Sequence, residues 1–508
     1  MEDESSWESG VSTRTSDAVL RMLRRLPGTW SLARKARKAA RSLPTFKDEV
    51  EVPDSDEIYS WIEGICVTPH RRPGTPEGHS AERWVAERFR EFGLEDVSMD
   101  PVPITSWSAS KWSLRVGDDT VPSFYIPYTE FTGPDGVTGR LIYAGKGGRG
   151  TIEKMDVRGR IVVAEVTFPV FPTGMLLKGL RSSYYVSDPD GNISIKSRQY
   201  MNFVRQNFMG GAADAAHAPD NDVYWRACAG GGAGVCLILR DQPAGTSTHY
   251  GPYDGIMKPM PGLWIGKHEA PGLIESARQE ETATLTLEGK AEPGTMHNVW
   301  GVLPGMSDDV ILVTSHHDSP FTGAIEDGAG VAQVLAQARA WSRVPRKKRP
   351  MTIIFVVDAG HFYGSEGGRA FARQHPDIMR RTRLLVTLEH LGGKEVEESG
   401  RHYAETGRLA LTVMFTTPDP EVVALTIHAL KTKPAKVTAV IPSDLLAPVP
   451  TSDALGYLTE VDVPVVSWIG CPYYLLDDQD TLDKVDRKEL HPIAETVTEL
   501  IRSRMTAG

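Results

Sequence analysis

The sequence predicts an α/β fold: a mostly parallel sheet sandwiched by helices, with a β-rich domain inserted into it. Three observations carry that reading. From about His297 onward, short and nearly continuous apolar runs alternate with stretches of helical periodicity. From about Trp107 to Gly289 the texture changes to short β-like runs punctuated by Gly and Pro. At 508 residues the chain is also too long for one ordinary core.

The apolar runs are Val310 to Thr314, Ile353 to Val357, Leu384 to Leu388, Leu411 to Thr416 and Val463 to Trp468. Runs of this length without alternation suit strands covered on both faces. Between them, Val331, Val334, Leu335 and Ala338 fall on one helical face, and a C-terminal helix is expected from about Arg487 to Met505. Upstream, Ala81, Trp84, Val85, Phe89 and Phe92 recur at helical spacing, with Ser80 as the expected cap and Gly93 as the stop. Within the β-rich region, Asp156 to Val166 reads as a turn and strand, and Ala227 to Asp241 as a glycine-rich bend feeding a second strand. The aromatic and polar stretch between Val166 and Tyr224 is too long for an average loop and suits a cover that shapes a substrate site.

These textures divide the chain into a basic N-terminal helical arm (1–50), a core built from 51–106 and 290–508, and an inserted domain (107–289). The arm carries Val19, Leu20, Leu23 and Leu26 at helical spacing followed by LARKARKAAR. It suits packing on its own protein, a subunit contact in a homo-oligomer, or an anionic surface. A formal net charge of -10 gives no reason to expect nucleic acid as a partner. No apolar run is long enough to cross a bilayer. Four scattered cysteines form no disulfide framework, and together with the acidic start this points to the cytoplasm.

Polar clusters interrupt the apolar pattern at the strand ends. The first strand runs into Ser315-His316-His317-Asp318, and GAIEDGAGV follows with Glu326 and Asp327. The second ends in Asp358-Ala359-Gly360-His361, and the third in Glu389-His390. Open α/β sheets place ligand sites beyond strand C-termini, and imidazoles with carboxylates are metal donors.

The order of HNVWGVLPGMSDDVILVTSHHDS, GAIEDGAGVAQVLAQARAW, VVDAGHFYGSEGGRAFA, TLEHLGG, TSDALGYLTEVDVPVVSW and PYYLLDDQDTLDKVD resembles the zinc aminopeptidase family. That family includes leucyl aminopeptidases, glutamate carboxypeptidase II, glutaminyl cyclase and the catalytically inactive transferrin receptor. RRPGTPEGHSAERWVAERFREFGL is similar to its opening helix, and Asp156 to Asp241 to the protease-associated domain that many members insert. The resemblance implies the aminopeptidase-type phosphorylase/hydrolase fold, a divalent metal (zinc first, as one or two ions, with iron or manganese as alternatives) and a peptide or small-molecule substrate.

Carried over residue by residue, the resemblance implies His316, Glu326, Glu389 and His361 as metal ligands. Asp318 supports His316, and His361 stands as ligand or catalytic base. Further donors within reach are Asp327, His317, His390 and Asp478. Two carboxylate ligands are one methylene longer than in the family, its Glu-Glu pair falls on Gly360-His361, and its last His falls on Leu476, next to Asp477 and Asp478. Three readings follow: a metal-dependent aminopeptidase-type hydrolase with a rebuilt, mononuclear-leaning site; a repurposed metalloenzyme with cyclase-like or mononuclear iron chemistry; or a metal-free interaction protein.

Overall fold

In a computed structural model of the chain, residues 23–506 are described apart from 45, 47, 148–149, 168–169, 198, 201–222, 446–449 and 451. The apolar runs become the strands β7 (Ser307–His316), β8 (Met351–Asp358), β9 (Thr382–Glu389) and β12 (Val465–Gly470). Every residue of β8 and β12 is buried, as expected of strands covered on both faces. Strand β7 pairs in parallel with β8 on one side and β9 on the other, and β9 pairs in parallel with β12. Beyond β12 lie β10 (Thr412–Thr416), antiparallel to it, and β11 (Thr438–Pro442). On the other flank β8 pairs antiparallel with the last part of β6 (Thr282–Leu303).

The β-rich region contributes β2 (Val137–Tyr143), β3 (Ile161–Val166), β4 (Gly234–Leu239) and β5 (Gly262–Gly266), paired in parallel in sequence order. It is joined to the core by β1 (Glu95–Val116) and β6, which pair antiparallel along their length. Both run unbroken through the positions where the sequence texture changes, near Trp107 and Gly289. The first part of β6 pairs with β2 and the last part with β8. A single continuous sheet therefore extends from one region into the other.

The described part of the Val166 to Tyr224 stretch reaches back over the core. Its Tyr185–Ser187 strand pairs antiparallel with β11, and Leu176, Leu177 and Ile193 pack with Phe415, Val437 and Ile469. Residues 201–222 of that stretch lie outside the described residues.

The N-terminal arm forms α1 over 23–39, with its first residues outside the described set. It docks on its own chain. Leu26, Ala33, Ala36 and Ala40 are buried, Trp30 donates to the Arg181 carbonyl at 3.0 Å, and Arg37 donates to the Tyr184 carbonyl at 2.9 Å. Among the described residues no helix is long and apolar enough to cross a membrane.

Helices α2 (Ser55–Cys66), α4 (Ala329–Ser342) and α8 (Arg487–Thr506) pack together, and α3 (Pro76–Glu91) lies on β1 and β6. The start of α3 differs from the sequence expectation. Thr75, not Ser80, is the cap: its Oγ1 accepts from Gly78 N at 3.1 Å, and Pro76 occupies the first turn. Proline fits there because its missing N–H costs nothing, while Ser80 is left inside the helix donating to the Pro76 carbonyl. Thr75→Ala is therefore expected to destabilise the protein by about 1 kcal/mol, and Ser80→Ala by only a few tenths, read from urea unfolding.

Candidate metal centre

Four strand ends and two loops bring the site together. His316 is the last residue of β7, and its Nδ1 donates to the Asp318 carbonyl at 3.0 Å. The Asp318 carboxylate lies beside the same imidazole, with Oδ1 3.4 Å from His316 Nδ1. Its Oδ1 and Oδ2 accept from His361 N at 3.3 Å and Phe362 N at 2.8 Å, so it fixes the loop after β8 against the loop after β7. In that loop Gly360 adopts φ +77°, a left-handed conformation that glycine takes without penalty, and His361 follows.

Glu326 and Asp327 lie in the turn Ala324–Gly328, just before α4. Asp480 anchors this turn by accepting from Ile325 N at 3.0 Å and Glu326 N at 2.8 Å. Burial pushes the Asp480 carboxyl up to about 7. Asp327 is an internal brace that accepts from Ser315 Oγ at 2.6 Å, Gly330 N at 3.1 Å and His390 N at 2.8 Å. Gly330 is required here, because a Cβ would lie 2.2 Å from Asp327 Oδ2 and 2.3 Å from the Leu388 carbonyl.

Three imidazoles face Glu326. His316 Nε2 and His361 Nε2 lie 3.5 and 3.7 Å from its Oε1, and His390 Nε2 lies 2.9 Å from its Oε2. The His316 and His361 rings stack with centroids 4.2 Å apart. In each imidazole the other nitrogen is occupied. His361 Nδ1 meets Asp453 Oδ1 at 2.6 Å, and His390 Nδ1 donates to the Gly470 carbonyl, at the end of β12, at 3.0 Å. Tautomer and ring orientation are thereby set to present Nε2 inward, as metal-ligating histidines are held. Glu389, the last residue of β9, accepts from Asp453 N at 2.9 Å through Oε1.

Charge balance follows from this packing. Burial alone would raise the Glu326 carboxyl, but His390, His361 and His316 hold it below the usual carboxylate range. Burial raises Glu389 well above that range, and Asp453 adds to the rise. For His390, burial opposes the charged form, yet Glu326 and Asp327 lift the imidazole to about 10.

Among the described residues His316 Nε2, His390 Nε2, Glu326 Oε1, Glu389 Oε2 and Asp453 Oδ2 are buried without a hydrogen-bond partner. Buried polar groups in native proteins are rarely left so, and these five belong to one cluster of nitrogen and oxygen donors. Ligand atoms of His316, Glu326 and His361, of His316, Asp327 and His390, and of His361, Glu389 and Asp453 lie within 4.8 Å of one another in each set. The donor set fits a divalent ion.

Of the residues expected from the sequence, His316, Glu326, His361, Glu389, Asp327 and His390 converge. Two others do not. His317 turns the opposite way, its Nε2 donating to the His297 carbonyl at 3.1 Å. Asp478 is exposed and accepts from Thr248 Oγ1 at 2.8 Å. Neighbouring Asp477 is bound to the Tyr403 hydroxyl at 2.9 Å, and Leu476 is a buried apolar residue. Asp453, in the loop before α7 (Ala454–Leu458), is the functional residue that sequence reasoning missed. Its only signal was its place in TSDALGY.

Residues 298–501 match the sequence profile of peptidase family M28. No curated protein matches the chain. Among solved structures, a zinc aminopeptidase from Bacillus subtilis superposes with a TM-score of 0.64 at 16% identity, covering 89% of this chain and 95% of that one. A peptidase M28 precursor from Shewanella amazonensis gives 0.64 at 17% identity, with 96% and 97% covered. An aminopeptidase from Aneurinibacillus sp. strain AM-1 gives 0.59 at 19%, with 88% and 93% covered. At these identities the likeness speaks for the fold, which includes the β-rich region as well as the core. The profile match spans β7 to β12 and every residue of the cluster, so it is residues 298–501 that resemble peptidase family M28.

Proposed function

We propose that the protein hydrolyses a peptide or small amide at a single divalent ion held by His316, His361, His390 and Glu326. The observation that carries this reading is the convergence of three buried Nε2 atoms on one carboxylate, each imidazole oriented by a partner on its other nitrogen. Three imidazoles and one carboxylate are donors enough to hold one ion. When bound, such an ion supplies Lewis-acid polarisation of the scissile carbonyl and activation of water.

The chain's own residues supply the rest. Asp453 fixes His361, and Asp318 fixes the loop that carries it. Glu389 holds Asp453 through Oε1 and leaves Oε2 without a partner, and burial favours its protonated form, which suits it to give a proton at Oε2 to the leaving amine. A cavity of about 200 Å³ adjoins this end of the sheet, lined in part by Ile193, Val396, Leu409, Leu411, Cys471 and Tyr473. Cys471 follows Gly470, whose carbonyl positions His390, but no residue of the donor cluster lines this cavity, and Glu395, Glu397 and Arg408 line it as well. The same donor set also accepts iron or manganese, which supports a repurposed mononuclear enzyme as the second reading.

Metal analysis of protein purified without added metal tests both readings, together with hydrolysis of aminoacyl nitroanilides. One ion is expected at this centre. Glu389→Gln should retain it and lose about 10²–10⁴-fold in rate, whereas Asp453→Asn should weaken metal affinity by about 10–100-fold. Loss of two ions per chain on Glu326→Ala, or no ion bound after adding zinc, iron or manganese, would overturn the single-ion site.

A further inference from the structure

We propose a second, solvent-facing divalent metal site formed by His79, Glu82 and His297, separate from the centre above. His79 and Glu82 are one turn apart on α3, and His297 lies on β6, across from Pro101 of β1. The Nδ1 atoms of both histidines lie 2.8 Å from the same oxygen, Glu82 Oε2. The three ligand atoms fall within 4.8 Å of one another, and the rings are tilted by 60° with centroids 5.5 Å apart.

Two imidazole nitrogens meet one carboxylate oxygen, and once their protons are displaced the three atoms are donors for a single ion. Glu82 is preset for this role. Its side chain is 1% exposed, and its Oε1 is engaged by the His297 backbone N–H at 2.9 Å. The carboxylate therefore cannot turn away. The histidines are 32% and 26% exposed, which leaves the site open to water and gives an ion a path in.

Metal uptake here also has a small protonic cost. Without an ion each Nδ1 carries the proton it donates to Glu82. Moving that proton to Nε2 frees Nδ1 as a ligand. The second contact of the set is inward: the His297 carbonyl accepts from His317, the neighbour of His316. An ion at the outer site would thus tie α3 to β6 beside the strand end that carries the central centre.

Zinc and cobalt titrations followed by competition with a chromophoric chelator test the site in the full chain. The His316→Ala background removes a ligand of the central centre, so the outer site is counted by itself. That variant is expected to bind one zinc per chain. His316→Ala/His79→Ala and His316→Ala/Glu82→Gln should bind it at least tenfold more weakly. In the otherwise unaltered chain His79→Ala should lower the zinc stoichiometry by one, a readout that does not require His316→Ala to fold. Equal zinc binding with and without His79→Ala in both backgrounds would overturn the proposal, whatever the central centre is found to hold.

Discussion

Glu326→Ala is expected to release the central ion and to reduce hydrolysis by at least about a thousandfold, equivalent to roughly 4 kcal/mol of lost transition-state stabilisation. The size follows from what the carboxylate does for its neighbours. Three imidazoles lie within 3.7 Å of it, and its negative charge is what makes their approach to one another tolerable. Its removal takes away the carboxylate that meets all three Nε2 atoms and leaves Asp327 Oδ2 and Asp453 Oδ2 at 3.7 and 3.9 Å from His316 Nε2. The pair Glu326→Asp separates charge from reach, because shortening the side chain by one methylene withdraws the carboxylate by about 1.5 Å. The Asp variant is expected to bind the ion with intermediate affinity and to hydrolyse slowly. Metal content after dialysis and nitroanilide hydrolysis measure both. An Ala variant that keeps a full complement of metal would remove Glu326 from the ligand set.

The strands and the first ligands were legible because they break a pattern. His316, His361 and Glu389 stand at the ends of runs made of Val, Ile and Leu, so their chemistry is visible against the background. The remaining parts of the site have no such background. Asp453 joins His361 across 92 positions, and His390 is oriented by the Gly470 carbonyl across 80. Neither contact leaves a periodic trace. His317 reads like His316 from sequence, yet alternation along an extended chain sends adjacent side chains to opposite sides, and it ends against the carbonyl of His297. The cap of α3 was misplaced for a local reason. Ser80 and Thr75 are both good caps, and only the commitment of Thr75 Oγ1 to Gly78 N, with Pro76 behind it, selects between them.

Arg71 illustrates the same limit with the larger energetic consequence. Arg71, in the run His70-Arg71-Arg72-Pro73, is fully buried. Its guanidinium donates to the His317 carbonyl at 3.0 Å, the Thr322 carbonyl at 2.8 Å and the Gly323 carbonyl at 3.1 Å. Those three carbonyls belong to the segment that connects His316 to Glu326, so one side chain from the first domain segment holds the shape of the metal loop. Burial lowers the Arg71 pKa, with Cys66, Asp480 and Asp318 opposing that shift. Arg71→Leu would strip each carbonyl of its donor at about 1–3 kcal/mol apiece, only partly relieved by water, for an expected destabilisation of about 3–5 kcal/mol. Arg71→Lys should recover less than half of it, since an ammonium cannot span three carbonyls with a planar fork. Arg72→Leu is the matched control. Arg72 is half-buried and donates to the Pro320 carbonyl at 3.0 Å while lying over Tyr250. Its loss should therefore cost about 1 kcal/mol. Urea unfolding of the three variants gives the ranking. The loop-clamp role would be wrong if Arg71→Leu unfolded no more easily than Arg72→Leu, and metal affinity should fall with stability only in the Arg71 variants, because only they loosen the loop that carries Glu326.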